Sequence, residues 1–153
     1  MIKRMLPHLF LLVLAFSFSQ ASWSADAPNG FRDITWGTPL SGLSGMVVKD
    51  DSGQVKYYRR AGDQLSLGEA KLEQLSYGFY NGAFYSVLIE FKGDTNFEKA
   101  RTYLLKTYGK TARGGSEGTN LTWETVDSTT VNLKYNKSSQ FGYVFLFNKS
   151  ITR

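Results

Sequence analysis

The sequence predicts an α+β fold: a twisted, mainly antiparallel sheet of about six to eight strands in meander connection, with one long helix, residues 96–108, packed across it. Three patterns lead there. Apolar residues alternate on both sides of Asn81-Gly82, the period of a half-buried hairpin. From Phe97 to Tyr108 the period becomes helical, and beyond Thr119 alternation returns in three further runs.

Taken in chain order, residues 1–25 have the layout of a signal peptide. Lys3 and Arg4 precede an apolar run from Leu9 to Phe18, and small residues at Ser22, Ser24 and Ala25 place cleavage after Ala25. Pro7 and His8 shorten the run below the roughly 20 residues a membrane helix needs, so no membrane span is expected after cleavage. Residues 26–153 are then of a size for a single domain. The chain has no cysteine, so neither disulfides nor cysteine acylation can operate, and an exported domain of this kind points to the bacterial periplasm or exterior. Removing Lys3 and Arg4 lowers the formal charge from +5 to +3, too little to argue for a polyanion partner.

Phe31 to Trp36 reads as a short extended entry with Ile34 and Trp36 on one face; Thr38 is placed to cap a helical turn beginning at Pro39. Met46-Val47-Val48 and Gln54 to Arg60 flank the turn-rich Asp50-Asp51-Ser52-Gly53 and predict a hairpin. Leu65 to Gly68 reads as a brief edge strand. In the central hairpin, Leu75, Tyr77 and Phe79 are expected to share a face with Tyr85, Val87, Ile89 and Phe91. A three-residue loop, Tyr80-Asn81-Gly82, achieves this by pairing Tyr77 with Tyr85 and Leu75 with Val87.

Phe97, Ala100, Leu104 and Tyr108, with Tyr103 beside them, form the apolar stripe of the helix. Thr95 and Glu98 have capping-box spacing, and Gly109 supplies the stop. Thr111 to Thr119 reads as a mobile glycine-rich loop. Leu121, Trp123 and Thr125 alternate, as do Val131, Leu133 and Tyr135 across the Asp127-Ser128 turn. In the last strand Phe141, Tyr143, Phe145 and Phe147 oppose Gly142, Val144 and Leu146, so it should be central or covered on both sides.

The residue types exclude much chemistry. The only histidine, His8, lies in the signal segment, so the mature chain has no histidine triad, no thiolate and none of the usual zinc or iron sites. No catalytic residue, metal or cofactor is predicted. Gly109-Lys110-Thr111 follows a helix instead of preceding one, unlike a phosphate-binding loop. Asp50 to Gly53 lacks the EF-hand spacing and reads as a turn. Glu73, Glu90 and Glu124 are the acids a carboxylate-dependent glycan hydrolase would use, and strand-edge charges explain them more simply.

The distinctive polar stretch is Lys56 to Arg60. Lys56, Tyr58 and Arg60 project to one side of a strand and Arg59 to the other, giving a candidate binding set for an anionic group; protection of an edge strand is the competing account. Tyr57, Tyr80 and Tyr143 are candidates to line a groove. The opening Phe31-x-x-Ile34-x-Trp36-Gly37-Thr38 resembles the start of small exported bacterial proteins, a likeness confined to these residues that implies no activity. The expected function is a non-enzymatic envelope protein that binds a partner protein or an anionic envelope component; an exported protein rarely meets nucleic acid. A glycan hydrolase and a carrier of an apolar ligand are the alternatives.

Overall fold

The computed structural model describes residues 28–111, 113–115 and 118–153; the expected signal peptide lies outside them. The entry forms a small ribbon, β1 (Gly30–Phe31) with β2 (Ile34–Thr35), followed by a 3-10 turn at Leu40–Gly42. Pro39 sits one residue before that turn, and the Thr38 hydroxyl donates back to the Thr35 carbonyl, so the expected cap is not formed.

An eight-stranded antiparallel sheet dominates the rest. It contains β3 (Met46–Asp50), β4 (Val55–Arg60), β7 (Gln74–Tyr80), β8 (Ala83–Lys92), β9 (Arg113–Gly114), β10 (Asn120–Glu124), β11 (Thr129–Asn136) and β12 (Phe141–Asn148). A second ribbon pairs β5 (Ser66–Leu67) with β6 (Ala70–Lys71). The spatial order is β3-β4-β7-β8-β12-β11-β10-β9, two meanders that meet where β8 pairs with β12. Because β8 and β9 run the same way, the chain needs a crossover between them, and α1 (Asp94–Tyr108) supplies it.

The central hairpin corrects the expected register. Its loop is the two-residue Asn81-Gly82, with φ of 49° and 81°, pairing Tyr80 with Ala83 and Phe79 with Phe84. A bulge follows, so that Gly78 faces Ser86, Tyr77 faces Val87 and Leu75 faces Ile89. The extra residue is Tyr85. Phe84 and Val87 therefore both reach the core, while Tyr85 leaves the row in which alternation had placed it.

The helix starts at Asp94, preceded by Gly93 at φ 88°, and no side chain caps it; the Thr95–Glu98 box is not made. Asp94 in the first turn suits the positive end of the helix dipole. At the other end Gly109 has φ 75° and its N–H bonds the Leu105 carbonyl, the expected stop. Part of the segment read as a loop is β9, which pairs Gly114 with Leu121 and Arg113 with Thr122.

The core lies between α1 and one face of the sheet. Phe97, Ala100 and Leu104 of the helix meet Val87, Ile89, Phe91, Val131, Leu133, Val144 and Leu146, all buried. The ribbons add Phe31, Ile34, Leu67 and Ala70 to the same layer, and Trp36, just after β2, joins them. Tyr135 is sandwiched: its ring stacks on Phe97 at 4.5 Å and on Phe91 at 6.3 Å, and its hydroxyl donates to Asp94 Oδ1 at 2.6 Å. Gly142 sits directly beneath, because any Cβ there would strike Phe91. Among the described residues no helix is long and apolar enough to cross a membrane.

Candidate functional site

Helix and ribbons occupy one face of the sheet and leave the other open. On that face β12 presents Phe141, Tyr143, Phe145 and Phe147, each half-buried, down the middle of the sheet. The sequence reading of β12 is thus right about its central position, but its second apolar face is uncovered. Tyr85, brought over by the bulge, joins the row: rings run from Tyr80 to Tyr85 at 6.2 Å, to Phe147 at 6.1 Å and on to Phe145 at 5.2 Å. Tyr57, opposite Gly78, shares this face, so all three expected groove tyrosines are on it. Burial raises the Tyr85 hydroxyl pKa, with a smaller contribution from Tyr57.

Cross-strand pairing sets what flanks the row. Phe141 lies between Lys92 and Asn136, Tyr143 between Glu90 and Lys134, Phe145 between Leu88 and Asn132, and Phe147 between Ser86 and Thr130. Thr122 donates to Asn132 Oδ1 at 2.9 Å, which leaves the Asn132 amide N–H groups to point elsewhere. Two hydroxyls here are buried with no hydrogen-bond partner, Ser86 Oγ and Thr130 Oγ1. Such a group costs about 1–3 kcal/mol. Thr130, 5 % exposed, opens onto a shallow cleft of about 570 Å³ that also includes Thr122, Glu124, Asn132, Phe147 and Lys149.

The acids on this face are neutralised locally. Glu90 accepts from Gln74 and faces Lys49 Nζ at 3.9 Å. Glu124 bonds Lys149 Nζ at 3.2 Å and Arg113 Nη2 at 3.4 Å, and Lys149 first, then Arg113, holds its carboxyl below the usual range. Three strand spacings separate Glu90 from Glu124, about 14 Å at the least, beyond the reach of a glycosidase pair. Glu73 is exposed and alternates to the other face from Gln74, the partner of Glu90. Asp50 accepts from Ser52 N at 3.0 Å and Ser52 Oγ at 2.6 Å, the bonds of a self-closed turn.

The predicted set on β4 is divided. Lys56, Tyr58 and Arg60 lie on the helix side, opposite Phe79, Tyr77 and Met46, whereas Arg59 is on the open face. Lys56 is exposed; Tyr58 packs edge-on to Phe79 at 5.4 Å. Arg60 grips both Asp33 oxygens, at 2.7 and 2.9 Å, and so ties the entry segment to the sheet. Nor is β4 an edge, since β3 lies outside it.

A further hollow of about 400 Å³ opens beside Phe31, Leu67, Tyr103 and Tyr108. Its rim charges Arg32 and Asp63 already pair at 2.9 Å, which leaves little for a polar ligand. The aromatic row is therefore the site that the fold singles out. Alternation marked its β12 members; Tyr85 was hidden, because a bulge leaves no signature in a period of two. Comparison with protein-family models, with curated proteins and with solved structures finds no match to this chain.

Proposed function

We propose that the protein is an exported, non-enzymatic binding protein of the cell envelope that engages its target on the open face of the sheet. The observation that carries this is the row Tyr85, Phe147, Phe145, Tyr143 and Phe141 on one face, its first three rings in contact, half-exposed at the centre of the sheet instead of at its rim. Apolar surface gathered in one strip is characteristic of contact surfaces. The separation of Glu90 from Glu124 speaks against hydrolysis, and the placement of the row on the surface speaks against an enclosed apolar carrier site. The layout of residues 1–25 supports export.

Hydroxyl-radical footprinting tests the reading. Adding a bacterial envelope extract to the mature protein should lower labelling of Tyr143, Phe145 and Phe147 and leave Tyr103, on the opposite side, unchanged. Equal labelling of the row with and without extract would refute it.

A further inference from the structure

Resting on that reading, we infer that the target is an acidic glycan lying along β12. The strip is narrow. From Phe141 to Tyr143 the aromatic strip is one strand across, and the neighbouring strands, about 4.8 Å to either side, present Lys92, Glu90, Lys134 and Asn136 there; towards Phe147 it widens over Leu88 and Tyr85 on one flank while Asn132 and Thr130 line the other. A flat protein surface would have to bury these charges, whereas the centres of protein interfaces are depleted in charge. A polymer one sugar wide can rest its C–H faces on the rings and leave the flanking side chains in water, within reach of its edges.

The chemistry of the flanks suits a sugar. Sugar hydroxyls donate and accept, and the β11 flank offers donors to them: the amide N–H pair of Asn132, whose Oδ1 is held by Thr122, and that of Asn136, whose Oδ1 accepts from Ser138 and Ser139. Charge along the strip favours an acidic chain. Lys49, Arg113 and Lys149 are committed to Glu90 and Glu124. Lys92 and Lys134, opposite Phe141 and Tyr143, make no ion pair among the described residues. The uncommitted charge along the strip is positive, and it complements carboxylates spaced along a glycan.

Affinity electrophoresis with the mature protein, in gels containing polygalacturonate, alginate or hyaluronate, tests this against dextran as the neutral control. At least one acidic glycan should retard the protein, added salt should relieve the retardation, and dextran should leave mobility unchanged. The double variant Lys92→Gln/Lys134→Gln should bind about five- to tenfold more weakly, whereas Lys56→Gln, on the opposite face, should not. Phe145→Ser should abolish retardation; if it lowers the urea midpoint as well, the lysine variants decide. Failure of all three acidic glycans, or retardation that the lysine variants do not change, overturns the inference. If the row is nonetheless protected by envelope extract, the ligand class falls and the binding face stands; if protection also fails, both fall.

Discussion

Replacing Gly142 with alanine should destabilise the protein although the backbone at this position suits any residue. The added methyl would lie 2.4 and 2.5 Å from Phe91 Cε2 and Cζ, and 2.9 Å from Tyr135 Cδ2. Neither ring is free to withdraw. Phe91 is fully buried, and Tyr135 is held by its stack on Phe97 and its bond to Asp94. Overpacking of this kind costs about 1–3 kcal/mol. For a domain of this size that lowers Tm by about 4–12 °C. Urea unfolding followed by tryptophan fluorescence should show a lower midpoint with unchanged slope. Adding Phe91→Leu to the alanine variant should return part of the loss, since the two sites are in contact. An alanine variant within about 0.5 kcal/mol of the parent would mean that the aromatic sandwich is not where it is described.

Two pH effects follow from the same layer and its struts. Asp33 has its pKa lowered, chiefly by its hydrogen bond from Arg60, so its contribution to stability is present above the usual carboxylate pKa and is lost as pH falls through the lowered folded value. The urea midpoint of Asp33→Asn should therefore lie slightly below that of the parent at pH 7, and the two should converge below about pH 3; a gap that persists would refute this. The Tyr135 hydroxyl is pushed up to about 12, first by burial and then by Asp94, so its neutral form is favoured and its contribution fades as pH rises from 10 through 12. In absorbance titration at 295 nm, Tyr135→Phe should remove one late-titrating phenol; loss of an early one would contradict the placement.

How far these elements were legible depends on whether neighbouring residues alone decide them. The helix, the stop at Gly109 and the alternating strands were legible, because each is set by residues within a few positions. The hairpin register was not. Asn81-Gly82 signalled a two-residue loop, but a strict period of two made its faces disagree, and one unpaired residue, Tyr85, resolves the conflict. The start of the helix was displaced because Thr95 and Glu98 have the spacing of a box, whereas the chain enters the helix at Asp94 through Gly93 at positive φ. Lys56 to Arg60 drew notice for its composition, yet tertiary pairing decides its role: Asp33, far away in sequence, claims Arg60. The row on β12 was visible as a pattern, but which of its two apolar faces stays uncovered depends on where α1 crosses.

The meeting of β8 with β12 has a consequence for assembly. β8 is complete by Lys92, but its partner spans Phe141–Asn148, so the seam at the middle of the sheet closes over a long sequence separation. Contacts of that kind form slowly, and until the seam closes an apolar strand stays open to rival pairing. A chain lacking the final strand would accordingly leave two half-sheets with bare inner margins, a species prone to clump and dependent on a holding chaperone.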